Sequence, residues 1–134
     1  MKKNNLINPA LSEVIASLGH TDTLVVADAG LPISRETQRI DLALTRGIPT
    51  FVDTLRVILE EMYVEKAYVS EDVLVKSPHV YQAIQSLLMD MPIEAIPHKT
   101  FLEMSRTARA VVRTGEFTPF ANVILVSGAW GFGL

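Results

Sequence analysis

The chain has 134 residues, 49% of them hydrophobic, with a net charge of −3 and a pI near 5.6. That suits one compact domain with a real core, and the acidic balance gives no field to draw nucleic-acid phosphates or an anionic membrane surface. Cysteine is absent, which excludes disulfides, thiolate metal sites and cysteine nucleophiles. The opening stretch, Met1 to Ile7, carries two lysines, then Asn4 and Asn5, and only a short apolar patch. It resembles neither a signal peptide nor a spanning helix, so a cytoplasmic location is expected. Mean hydropathy is +0.27, high for a soluble monomer. Apolar surface beyond the needs of a core ends in subunit contacts, and a homo-oligomer is expected.

In chain order, Asn8 and Pro9 read as an N-cap and first helical residue, with Leu11, Val14, Ile15 and Leu18 on one face and Gly19 ending the helix. Leu24 to Ala27 is an apolar run without alternation, which suits a strand covered on both faces; Asp28 stands at its carboxyl end. After Pro32 the chain turns polar, and Ile40, Leu42 and Leu44 alternate weakly as a strand. Thr50 and Asp53 have capping-box-like spacing ahead of a stripe of Val52, Leu55, Ile58, Leu59 and Met62. Lys66 to Val69 reads as a strand. Ser77 and Pro78 repeat the cap-plus-proline signal before the stripe Tyr81, Ile84, Leu87 and Leu88. Ile93 to Ile96 follows as a strand, Thr100 with Glu103 forms another capping box before a short helix, and Ala110 to Val112 and Val123 to Val126 complete the strands. Strands alternating with helices predict an α/β fold, a three-layer α/β/α domain with a mostly parallel central sheet, in which ligands gather beyond the carboxyl ends of the strands.

Three histidines are present. His20 follows a helix-ending glycine, and an unperturbed imidazole near pH 6.5 exchanges protons at neutrality; a surface or capping histidine is the alternative. Asp28 and His98 stand at strand ends, able to hold a hydroxyl or to serve only as caps and turn formers. His79, in the first turns of a helix, reads as a surface residue. No HxH or HExxH spacing occurs, so no metal site is expected. The tail Gly128 to Gly133 has no helix after it to complete a dinucleotide loop. Thr45 to Thr50 reads equally as a phosphate cradle or as a turn plus cap. Neither a Walker pattern nor a GxSxG elbow is present. The polar and aromatic loop from Arg113 to Asn122 interrupts two apolar strands, as functional loops do, although its glycine and proline also fit a shaped turn.

Three runs together resemble the D-ribose pyranase family: Leu18-Gly19-His20-Thr21-Asp22, Ala27-Asp28-Ala29-Gly30-Leu31-Pro32 and Arg113-Thr114-Gly115-Glu116-Phe117-Thr118-Pro119. Their order and separation match too, and the resemblance covers essentially the whole chain. It implies an enzyme that converts β-D-ribopyranose to the furanose form without a cofactor, in the cytoplasm. It implies His20 as proton donor, Asp28 and His98 as substrate-binding residues, and Phe120, Ala121 and Asn122 as lining of the sugar site. Family members usually carry tyrosine where this chain has Phe120, and the glycine-rich end from Gly128 to Leu134 is longer than the family pattern. The resemblance further implies a decamer of two stacked five-membered rings, with each site built across neighbouring subunits. Ring isomerisation needs one proton delivered to the ring oxygen and one removed from the anomeric hydroxyl, a task within reach of imidazoles and a carboxylate. An L-fucose mutarotase and a non-catalytic sugar-binding subunit are the alternatives.

Overall fold

Valines and isoleucines that line both faces of a strand need a layer on each side, and the arrangement of the chain supplies them. A computed structural model describes residues 1–129; the end from Trp130 to Leu134, on which most of the glycine-rich tail falls, lies outside the described residues. In order the elements are α1 (Pro9–Ser17), β1 (Thr23–Ala27), β2 (Arg39–Asp41), α2 (Phe51–Glu61), β3 (Val64–Ser70), α3 (Asp72–Lys76), α4 (Pro78–Leu88), β4 (Ile93–Ile96), α5 (His98–Ser105), β5 (Ala110–Arg113) and β6 (Val123–Ser127). The strands form one six-stranded sheet in the order β2-β5-β1-β6-β3-β4. β1, β2 and β5 run parallel, as do β3 and β4, and β6 lies antiparallel between β1 and β3. The sheet is therefore mostly parallel, as expected, with one reversed strand at its centre.

Alternate residues of β1 serve different layers. Leu24 and Val26 join Phe51, Leu55 and Ile58 of α2, Val80 and Ile84 of α4, and Leu11 and Val14 of α1 in the larger core. Val25 and Ala27 face the other way, toward Phe101 of α5 and Leu31. The layers are thus unequal, with α1 to α4 on one face and α5 with the irregular segment after β1 on the other.

The first two caps form as expected: Asn8 Oδ1 accepts from Leu11 N–H at 2.9 Å, and Thr50 Oγ accepts from Asp53 N–H at 3.1 Å. Two others differ. Ser77 precedes α4, but its hydroxyl donates to the Pro119 carbonyl at 2.7 Å instead of capping. Thr100 and Glu103 lie inside α5, which begins at His98 because Pro97, with its fixed φ, stands ready at the N-cap. The weak strand expected through Leu44 is only Arg39–Asp41, paired to β5, and Leu44 is exposed. The Thr45–Thr50 stretch is a turn plus cap. Three of its amides bond to protein carbonyls, Thr45 N–H to Ile48 at 3.4 Å, Gly47 N–H to Gly115 at 2.6 Å and Ile48 N–H to Thr45 at 3.0 Å, as a turn requires.

This turn and the loop between β5 and β6 are locked together at two points. At Gly115 a Cβ would sit 2.5 Å from both the Thr45 and Ile48 carbonyl oxygens, so only glycine permits the approach. Glu116 Oε1 accepts the Phe51 N–H at 3.1 Å, adding a carboxylate to the N-terminus of α2, while Oε2 accepts the Thr118 hydroxyl at 2.9 Å. Burial would raise the Glu116 pKa, but the N–H of Phe51, the hydroxyl and N–H of Thr118 and the N–H of Phe117 outweigh it and hold the carboxyl below its ordinary 4.5.

Gly115→Ala should therefore lose about 1–3 kcal/mol through overpacking against backbone, read as a lower urea midpoint at unchanged slope. A carboxyl depressed in the folded state stabilises the fold above its unfolded value and loses that contribution as pH falls through the folded one. Glu116→Gln should cost about 1 kcal/mol at neutral pH, the bonds being partly solvent-screened. The gap to wild type should close as pH falls from about 5 toward 3, seen in denaturation midpoints across that range.

Candidate functional site

Because β6 is antiparallel to its neighbours, its first residues lie at the carboxyl edge of the parallel strands, the edge where ligands gather. Val123 pairs with Val26, which brings Asn122 beside Asp28. The two side chains meet: Asn122 Oδ1 accepts the Asp28 N–H at 2.8 Å, and Asn122 Nδ2 donates to Asp28 Oδ2 at 3.2 Å. Asp28 Oδ1 accepts the Gly30 N–H at 2.9 Å. Burial raises the Asp28 pKa above 3.8, against the lowering pull of the Gly30 N–H, the Asn122 amide and the N–H groups of Leu31 and Phe120. A carboxyl raised in this way favours the fold least when ionised, so its penalty grows as pH rises from 3.8 through the folded value. Carboxyls set in this way cluster at functional sites.

A cleft of about 470 Å³ opens over this pair. Asp28 to Pro32 line one side and His98, Arg113, Glu116, Phe117, Pro119, Phe120 and Asn122 the other. Apolar walls with a few convergent polar groups suit a small polar molecule such as a sugar. The loop that forms half the wall is tied down by Thr114, whose hydroxyl donates to the Ala27 carbonyl at 2.8 Å, and by Ala29 N–H on the Glu116 carbonyl at 2.8 Å. The Arg113 charge is met by Asp41, both of whose oxygens accept from Nη1 at 3.1 Å, while Nε donates to the Ala29 carbonyl. It braces the wall instead of offering a free cation.

His98, the first residue of α5, is half-buried, with Phe101 stacked against it and the Phe120 ring edge-on at 5.2 Å. Its Nδ1 lies 3.1 Å from Ser70 Oγ at the end of β3. Phe120 has a left-handed backbone (φ 61°), which turns its ring to the cleft while Ala121 is fully buried behind it. Lys76 Nζ lies 5.2 Å from the Phe120 ring. Asp28, His98, Phe120 and Asn122 are thus gathered in one cleft, with Ala121 packed in the core beneath.

His20 is elsewhere. It precedes β1 on a tight turn, where Thr21 N–H donates to the Ser127 carbonyl at 2.9 Å and Asp22 accepts the Gly19 N–H at 2.8 Å. The whole of β1 separates it from Asp28, about 20 Å at the rise of an extended strand. It is exposed, and its Nε2 pairs with Glu65 Oε2 at 3.0 Å. A second, smaller cleft of about 350 Å³ lies there, walled by Leu18, Tyr63 and Ser127 among others. Within one chain His20 and the Asp28 cleft cannot meet on one sugar. His79 is exposed, as expected. Ser70 and Glu65, which hold the two other imidazoles, were not singled out by sequence. Ser70 carries a signal, a polar residue at the carboxyl end of an apolar strand; Glu65 carries none. Among the described residues, no group of three or more metal-ligating side chains occurs, and no helix is long and apolar enough to cross a membrane.

Other proteins resemble this chain in sequence and in fold. A D-ribose pyranase of Chloroflexus aggregans is 56% identical over 96% of this chain and 98% of its own length. One of Geobacillus thermodenitrificans is 48% identical over 96% and 97%. The structure of Bacillus subtilis RbsD complexed with D-ribose superposes with a TM-score of 0.93 at 42% identity, covering 96% of this chain and 98% of that one. A fucose mutarotase of Streptococcus pneumoniae in complex with L-fucose gives 0.82 at 25%, covering 96% and 99%. The RbsD / FucU transport protein family matches residues 1–130, and with relatives so similar along nearly their whole length this chain belongs to that family.

Proposed function

We propose that this chain is a sugar-ring isomerase that interconverts the pyranose and furanose forms of β-D-ribose. The observation that carries the reading is the Asp28–Asn122 pair beneath a sugar-sized cleft, in a fold that matches a ribose-bound relative closely. Opening the hemiacetal ring moves a proton from the anomeric hydroxyl and delivers one to the ring oxygen; closing it through another hydroxyl reverses the traffic. The bonds broken and made are C–O and O–H only, so no redox step is involved. Asp28 accepts hydrogen bonds from sugar hydroxyls, His98 and Asn122 hold others, and the Phe120 ring packs on the apolar face of the sugar. His20 is the proton donor.

His20 reaches the reaction from a neighbouring subunit. The proposal follows from its distance from Asp28 along β1 and its place beside a second cleft on the opposite edge. A head-to-tail contact that sets one edge against the other repeats around a ring, consistent with a decamer of two five-membered rings. Glu65, bonded to Nε2, leaves Nδ1 of His20 as the atom that exchanges protons. The setting is cytoplasmic, and no cofactor takes part. The fucose mutarotase likeness favours a second reading, anomer exchange on L-fucose, since opening and reclosing the ring is common to both reactions.

Saturation-transfer NMR on ribose and on fucose decides between these readings. Accelerated pyranose–furanose exchange on ribose is expected, and equal exchange with and without protein on both sugars would leave a binding subunit. His20→Ala should lower the rate by about 10²–10⁴-fold, the usual worth of a general acid. Asp28→Asn should weaken ribose binding in calorimetry by about 1 kcal/mol or more. When His20→Ala and Asp28→Asn chains are co-assembled in equal amounts, about a quarter of the interfaces join an intact His20 to an intact Asp28, and turnover at wild-type ribose affinity should reappear in that share of sites. No recovery in mixed oligomers would remove the shared site. Exhaustive chelation and dialysis should leave the rate unchanged; loss on chelation with recovery on added zinc would overturn the acid-base account.

A further inference from the structure

We propose that Ser70 is a positioning residue that holds neutral His98 in the tautomer protonated on Nε2, so that His98 presents a hydrogen-bond donor to the sugar. The part played by the sugar rests on the ribose reading above; the tautomer does not.

The argument is one of proton accounting. Ser70 ends β3 and is 1% exposed. Its Oγ accepts the Asp72 N–H at 3.3 Å, a donor whose direction is fixed because a backbone amide cannot accept. Its other partner among the described residues is His98 Nδ1 at 3.1 Å. A serine hydroxyl carries one proton and two lone pairs. If Nδ1 were protonated, imidazole and amide would both donate to Oγ, and the buried hydroxyl proton would have nowhere to go. With Nδ1 bare, the hydroxyl donates to it and every group is satisfied. The cost of stranding a buried donor biases the tautomers by about tenfold or more toward Nε2–H.

Turning the ring over would keep its place beside Phe101, parallel within 6°, and Phe120, at 86° and 5.2 Å, but would set a ring C–H against Ser70 Oγ in place of Nδ1 and strand the hydroxyl proton again. Nε2 has no protein partner among the described residues and is left to the cleft that His98 lines. The cleft then shows the sugar a fixed polarity: Asp28, held by the Gly30 and Asn122 donors, accepts, and His98 donates. A hydroxyl group both donates and accepts and fits either. A substituent that can only donate is refused at His98.

The experiment uses the assembled enzyme labelled with ¹⁵N-histidine, which has three imidazoles, with His98→Ala assigning the signal. At about pH 8.5, two units above a free imidazole, solid-state ¹⁵N spectra should show His98 Nδ1 bare and Nε2 protonated. Ser70→Ala should mix the tautomers and raise KM for ribose about twofold, because near-equal mixing leaves the Nε2–H donor in about half the sites, with kcat unchanged. Ser70→Thr, which keeps the hydroxyl, should restore both. Nδ1–H in the wild type, or an unmixed tautomer in Ser70→Ala, would overturn the proposal. A mixed tautomer with unchanged KM would overturn the donor role of His98. Absence of ribose exchange in the wild type, with the tautomer as described, would count against the ribose reading alone.

Discussion

The hydrogen-bonded meeting of Asp28 and Asn122 depends on one topological fact, the reversal of β6 at the centre of an otherwise parallel sheet. Had β6 run with its neighbours, its amino end would lie at the opposite edge and the loop before it would have no business near Asp28. Reversed, it delivers the loop from Arg113 to Asn122 onto the carboxyl edge, where that loop can also reach β1 through Thr114, α2 through Glu116 and α4 through the Pro119 carbonyl. The cleft wall is therefore secured to elements on both sides of it.

The same reversal explains the ledger of charge. A buried carboxylate with only partial compensation works against the fold, yet the Gly30 and Asn122 donors keep it oriented. The surrounding strands supply the stability: Val25, Val26, Val112 and Ile124 are completely buried. The site sits on the best-packed part of the molecule, which limits how far its atoms drift.

Much of this was legible in the sequence. Leu24 to Ala27 announced a strand buried on both faces, Asn8–Pro9 and Thr50–Asp53 announced helix starts, and the strand-end rule pointed at Asp28 and His98. The five-residue helix Asp72–Lys76 gave no signal, being too short for periodicity. Ser77 looked like a cap because local spacing cannot show that a distant carbonyl, Pro119, competes for its hydroxyl. Thr100 and Glu103 misled for a related reason, since Pro97 and His98 had already begun the helix. The direction of β6 is a tertiary choice that no window of residues contains. The distance of His20 from the cleft became evident only when β1 was laid between them; the family motifs place these residues close in sequence and say nothing of opposite edges.

Phe120 carries one more consequence. Its left-handed backbone is costly for a residue with a Cβ, on the order of 1–2 kcal/mol, and glycine would relieve it. Glycine would also remove the ring that flanks His98. Fold and site thus pull in opposite directions at this position, so a lineage under pressure for heat resistance cannot collect the easiest gain available to it. Such a lineage must find its increments away from the cleft, on the four-helix side of the sheet, where packing can improve without moving the cleft wall.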